Sequence, residues 1–249
     1  MPNYELLNNI DHKDLKVVVD RSAEYGDDVW FAATFPSEFR NVQRHYPIIF
    51  TKNSDSGAFE AVAMFGFEDG ENLFLGETGW DAGYIPLNIM RLPFLIGFQE
   101  QTIDGEKTRE PVITVDMDSP RVGTERGEPV FLEHGGNSEY LERVNSILHA
   151  LYEGMSRCGT FFATLADFNL LESFVLDVQL DDGSEHRLAG FHTINEEVLR
   201  ELKGEQLELL NERGYLEAIY MAIASMTNIP ALLEKKNQQR KVDPEHVEH

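Results

Sequence analysis

Six residues carry most of the chemistry available to this sequence: Trp80, Asp81, Tyr84 and Arg91 within one apolar stretch, then Asp116 and Asp118. The first four supply an aromatic wall, an acid and a guanidinium, which together can frame a pocket for an anionic ligand. The same residue types also build cores, since aromatic rings bury large areas and an arginine ties carboxylates or carbonyls together. Asp116 and Asp118, two apart at a strand's end, point the same way and can hold a divalent cation or work as an acid–base pair. The glycine and terminal glutamate of a calcium loop are missing around them, so a solvated strand end is the competing reading.

Other chemistries find little support. The eight histidines form no HxH, HExxH or HxxxH pattern. His186 and His192 fall on one strand face but roughly 20 Å apart, too far for a shared metal. Cys158 is the single cysteine, which removes intramolecular disulfides and cysteine-rich zinc sites. It follows a helix, near the end that does not lower a thiol pKa, and reads as a small buried residue. No glycine pattern sits between a strand and a helix at phosphate-loop spacing, and no GxSxG elbow occurs. No catalytic residue, metal or cofactor is therefore assigned.

The elements that must position these residues follow from composition and pattern. With 249 residues, 21 Lys plus Arg and 44 Asp plus Glu, the formal net charge is −23. That disfavours nucleic acid and anionic membrane surfaces as partners. No basic and apolar leader opens the chain, and no stretch reaches the ~20 apolar residues of a membrane span, so a cytoplasmic location is expected. Residues 1–9 read as a lead-in, and Leu15–Val19 as a possible strand. Ile48–Phe50, Phe59–Phe67 and Leu73–Leu75 form an antiparallel meander with turns at Asn53–Gly57 and Glu68–Gly70. A short helix at 85–91 and strands at 94–101 and 111–115, joined by a turn at Ile103–Gly105, come next. Residues 116–137 are a long polar loop.

Ser138 opens the clearest helix, with Leu141, Val144, Leu148, Leu151 and Met155 at three- and four-residue steps. Gly159 interrupts it before a second apolar helix to Leu171. Residues 174–194 alternate as a hairpin, Asn195 caps the next helix, and two more reach Thr227. Residues 234–249 lack an apolar face and read as a disordered tail. The fold class is α+β: one domain with an antiparallel sheet, packed helices, a C-terminal hairpin and a helical segment.

These pieces, laid in order, resemble the bacterial SapC family. The likeness rests on Arg44-His45-Tyr46-Pro47, Gly70–Phe74, Tyr84–Phe94, Asp116-Met-Asp-Ser-Pro-Arg121, Gly127–Phe131, Leu188–Phe191 and Ser225–Asn228, spanning roughly residues 10–233. Leu92 and Asn195 depart from the family's usual tyrosine and aspartate. The resemblance implies a flavin-dependent halogenase-like enzyme as a protein partner and brings no catalytic residues. The leading expectation is a soluble, cytoplasmic, non-catalytic accessory or binding protein acting beside a partner enzyme or on a small ligand. The alternatives are an enzyme using a pocket around Trp80, Tyr84 and Arg91, and a surface-layer-associated protein.

Overall fold

Ile48-Ile49-Phe50 and Ala61-Val62-Ala63-Met64 have the unbroken apolar character of strands covered on both faces, and every one of these residues is buried. The computed structural model describes residues 3–53, 56–103 and 106–242. Ser54 and Asp55 of the first expected turn, Asp104 and Gly105 of the later one, and residues 1–2 and 243–249 of the expected lead-in and tail lie outside that range. The class is α+β, as the sequence implies.

In chain order, β1 (Tyr4–Leu6) and β2 (Lys16–Val17) precede β3 (Phe31–Thr34), α1 (Phe39–Val42), β4 (Ile48–Lys52) and β5 (Phe59–Met64). A small pair, β6 (Leu75–Gly76) and β7 (Gly79–Trp80), leads to α2 (Leu87–Met90) and the long hairpin β8 (Phe94–Ile103) and β9 (Glu106–Asp116). β10 (Val122–Gly123) and β11 (Glu128–Pro129) come before α3 (Glu139–Ser156) and α4 (Cys158–Asp167). The hairpin β12 (Leu171–Gln179) and β13 (Glu185–Ile194) is followed by α5 (Glu196–Glu201), α6 (Glu205–Glu212), α7 (Tyr215–Ser225) and α8 (Ile229–Val242).

Packing groups these elements into two compact units, each made of two chain segments: Met1–Asp27 with Leu87–Glu153, and Asp28–Pro86 with Gly154–His249. The strands fall into separate sheets, not one. In the first unit β8 and β9 pair with each other, and β1 adds to β9 with Tyr4 opposite Asp116. Residues 116–137 are more than a loop, because β10 and β11 both pair with β2. What pins them is Arg121, 1% exposed, whose guanidinium reaches the Val18 and Asp20 carbonyls at 3.0 and 2.7 Å and pairs with the fully buried Asp27. Asp27 also accepts from the Ser22 N–H at 3.0 Å and from Arg21 at 3.2 Å. Burial, then the neighbouring Arg121, lowers the Arg21 pKa. Ser138 caps α3 by accepting from the Leu141 N–H at 3.1 Å, and Leu141, Val144, Leu148 and Leu151 form its buried stripe.

In the second unit the order is β12-β13-β4-β5-β3, so the C-terminal hairpin extends the sheet through His192 opposite Phe50. The expected strand at Leu73–Leu75 is not part of it. β3 takes the place beside β5, and Leu75 pairs instead with Trp80. Phe162 of α4 meets Phe50 edge-on, while Phe161 meets Phe39 and Tyr215. α7 packs on β4 and β13 with Ala218, Ile219, Ala222 and Ser225 buried, and Ser225 Oγ accepts from the Ile48 N–H at 2.8 Å. Continuous with it, the helical run Tyr215–Lys241 is long and apolar enough to cross a membrane by length and composition, which the sequence reading had not anticipated.

The disordered tail is a further correction, since α8 runs to Val242. Polar composition is offset by ion pairs from α8 to three other segments: Lys235 to Asp81, Lys236 to Glu68 and Glu71, and Arg240 and Lys241 to Asp182 and Asp181. Ser184, through its hydroxyl and backbone N–H, and then Arg240 hold Asp182 down at about 2. Lys235 lowers Asp81 as well.

Two outcomes follow. Asp27→Ala leaves the Arg121 charge buried without its carboxylate and costs about 3–5 kcal/mol, read as a fall in the urea midpoint. Asp182 and Asp81 both have folded pKa values below the ordinary 3.8. Their contribution is therefore present above that value and lost as pH falls toward about 2. Amide exchange across residues 235–242 should accelerate in that acidic window, and in high salt at neutral pH.

Candidate functional site

The six residues singled out from sequence are divided between the units. Trp80, Asp81 and Tyr84 belong to the second; Arg91, Asp116 and Asp118 belong to the first. Each meets partners in its own unit. Trp80 donates its indole N–H to Tyr46 Oη at 2.7 Å, and Tyr46 donates in turn to the Tyr84 carbonyl. Tyr84 Oη donates to Glu38 Oε1 at 2.8 Å, and Thr34 Oγ1 donates to Glu38 Oε2 at 2.6 Å. Glu38 is 3% exposed, so this chain of donors satisfies a buried carboxylate. Burial raises the Tyr46 phenol; burial and then Glu38 raise the Tyr84 phenol. Both phenols therefore keep their protons near neutral pH and serve as hydrogen-bond donors. Asp81 is exposed and taken up by Lys235.

In the first unit, Arg91 Nε donates to Asn88 Oδ1 at 3.0 Å and Nη1 to the Phe94 carbonyl at 2.9 Å, and burial lowers its pKa. It closes the turn between α2 and β8. Asp116 Oδ1 accepts from the Asp118 N–H at 3.1 Å, and Asp118 Oδ2 from the Asn3 N–H at 3.0 Å. Among the described residues, no group of three or more His, Cys, Asp or Glu can hold a metal ion.

Cys158 departs from expectation in place. α3 breaks at Arg157 rather than Gly159, so Cys158 opens α4 instead of trailing a helix. Burial nevertheless pushes its thiol up to about 11, and Sγ lies 3.6 Å from the Gly154 carbonyl. A helix N-terminus favours thiolate; desolvation overrides it here.

A different set of residues converges in the second unit. A cavity of about 330 Å³ is lined by Arg40 of α1, Arg157 at the α3–α4 junction, and Arg213 at the α6–α7 junction. Arg40 pairs with Glu217, and Arg213 Nη1 donates to Thr164 Oγ1 at 3.1 Å. Pro36, Tyr215, Ala218 and Met221 give the cavity an apolar wall. Gly154 also lines the cavity, and a Cβ there would stand 2.2 Å from the Phe35 ring. Only absence of a side chain admits that approach. α7 begins at the cavity with Gly214 at φ 70° and no side-chain cap, leaving first-turn N–H groups unoccupied by a side chain.

Sequence reasoning missed this set because its members are far apart in the chain. Its one visible signal is that Arg157 and Arg213 stand at helix junctions of a chain poor in cations.

The SapC family profile matches residues 7–232. The chain belongs to the SapC family. No curated protein and no solved structure matches it. The six sequence-chosen residues thus lie within the SapC-matched region, as do Arg40, Arg157, Arg213 and Glu217.

If the Tyr84–Glu38 bond is structural, Tyr84→Phe leaves a buried carboxylate one donor short. That should cost about 1–3 kcal/mol of stability in urea titrations, without altering anion binding in the arginine-lined cavity.

Proposed function

We propose that this SapC-family protein is a non-catalytic binding protein, cytoplasmic and accessory to a partner enzyme, which takes up a small anionic ligand in the Arg40–Arg157–Arg213 cavity. The observation that carries this reading is the gathering of three guanidinium groups around one concavity in a chain with 44 acids and 21 cations. Guanidinium forks are the side chains best suited to carboxylate and phosphate oxygens. The lining holds no histidine or cysteine, and its one carboxylate, Glu217, is held by Arg40. It therefore offers charge and shape rather than a nucleophile with its base. A partner enzyme of the flavin-dependent halogenase-like kind would act on the ligand or receive it.

The test is to purify the native protein, denature it, and analyse the released small molecules by mass spectrometry. An anionic compound should accompany the wild type and be absent from an Arg40→Ala, Arg157→Ala double variant. Each exposed arginine should contribute about 1.5–3 kcal/mol to binding, with the variant's unliganded stability within about 0.5 kcal/mol of wild type. Release of a neutral compound, or its retention by the variant, would overturn the proposal.

A further inference from the structure

The first unit holds a cavity of its own, of about 370 Å³. Leu6 and Leu7 reach it from the end of β1, Val112 and Ile113 from β9, Phe131 from the segment before α3, and Leu141 from α3 itself. We infer that this cavity binds a small uncharged molecule carrying a primary carboxamide on a compact apolar body. The site is separate from the arginine-lined one and does not depend on how that one is read.

The lining fixes the ligand's charge first. Its other members are Asn8, Asn9, Gly135, Asn137 and Asn145, so no side chain there is charged, in a chain of which 26% is charged. An ion taken from water into such a site meets no opposite charge, and its desolvation opposes binding. A neutral molecule escapes that penalty.

The carboxamides then fix its polar group. Asn8 is occupied within its own turn: Oδ1 accepts from the Ile10 and Asp11 N–H groups, and Nδ2 donates to the Leu6 carbonyl and to Asp11. Asn9 Nδ2 donates to the Gly135 carbonyl at 2.8 Å, and Asn137 Nδ2 to Glu142 Oε1 at 2.7 Å. Both leave Oδ1 without a hydrogen bond among the described residues. Asn145, part-buried on α3, uses neither end of its carboxamide there. The lining therefore offers three acceptor oxygens and one donor group, the Asn145 NH2. A primary carboxamide mirrors this set. Its carbonyl accepts from Asn145 Nδ2, one N–H returns to Asn145 Oδ1, and the second N–H remains for Asn9 or Asn137. A tertiary amide or an ester has no N–H to give.

The rest of the wall is apolar and held in place. The Leu7 N–H donates to the Ile113 carbonyl at 2.9 Å, and Phe131 bridges to Asn137 across the turn at Gly135. Phe131 and Leu141 are buried, so the cavity floor is part of the core. At about 370 Å³ the space stands near the lower end of the ~300–1,000 Å³ typical of ligand sites, which suits a molecule of amino-acid size.

Titration of the isotope-labelled full chain with hydrocinnamamide, followed by NMR, tests the inference. The backbone N–H signals of Ile113 and Leu141 should shift saturably, and the Asn145 side-chain NH2 signals with them. N,N-Dimethylhydrocinnamamide keeps the ring and the carbonyl but has no N–H, and should bind about tenfold or more weakly. Hydrocinnamate and phenylpropylammonium, which carry a charge, should be weaker by a similar factor at these signals. Asn145→Leu keeps the volume and removes the carboxamide, so hydrocinnamamide should lose about tenfold or more in affinity, with Asn145→Ala as a second variant. Asn211→Ala on α6 should leave it unchanged. Equal affinity of the dimethyl amide, or retention of hydrocinnamamide by folded Asn145→Leu, would overturn the carboxamide assignment. A charged probe binding as tightly would overturn the neutral one. Absence of a saturable shift at Ile113 and Leu141 with any probe would overturn the site itself, and would leave the arginine-lined cavity of the other unit untouched.

Discussion

A carboxylate with no exposed surface, Asp27, set against a guanidinium that is 1% exposed, Arg121, is the constraint on which the first unit depends. Taking two such charges from water costs several kcal/mol per ion unless their remaining donors and acceptors are met. Here most are met, from several directions, with Arg121 Nε the exception. Arg121 reaches two carbonyls, and Asp27 receives a backbone N–H and a second guanidinium. The Tyr25 ring lies 5.4 Å from the Arg121 guanidinium. Each of these partners belongs to residues 18–27, which form only one short 3-10 turn of regular structure. The ion pair thus does for an irregular segment what a ladder of backbone bonds does for a strand. It also explains why the polar stretch after Asp116 is fixed well enough for β10 and β11 to pair with β2.

Scarcity of cations governs the second unit in a different way. With 21 positive side chains against 44 negative ones, a lysine or arginine near the surface meets a carboxylate easily. α8 exploits this: its own sequence supplies no apolar stripe, yet Lys236 is buried between Glu68 and Glu71. The more exposed pairs of Lys235, Arg240 and Lys241 contribute little one at a time. Their value to α8 lies in number and spread, because acids from three separate segments must come loose together before the helix departs.

Local pattern was legible where local energetics decided the outcome. The stripe of α3, its Ser138 cap, the Asn195 cap of α5 and the alternation in β12 and β13 were all readable, since each depends on residues a few positions apart. Pairing of β9 with β1, and of β5 with β3, joins residues distant in sequence through backbone groups that every residue possesses, so no side-chain signal marks it. The tail was misread for a related reason. Absence of an apolar face argues for disorder only when nothing else repays ordering, and the acids that hold α8 lie in remote segments. Trp80 and Tyr84 were noticed as large aromatics. Their bonds to Tyr46 and to the buried Glu38 depend on packing, which composition does not reveal.

The arginine-lined cavity inverts the logic of α8. Three guanidinium groups share one lining with a single acid, in a chain with acids to spare. Coulombic repulsion among like charges opposes such a cluster, and packing helps to hold it. Each arginine is carried by a neighbour that packing fixes. Arg40 sits between Phe39 and Val42, both 0% exposed; Arg157 follows Gly154, seated on Phe35; Arg213 is bonded to Thr164 of α4. The aromatic core around Phe39, Phe161 and Tyr215 therefore dictates where the helix junctions lie, and the junctions carry the charges. Side chains whose backbones the core anchors in this way are ordered in advance, so a ligand there would meet groups already in place.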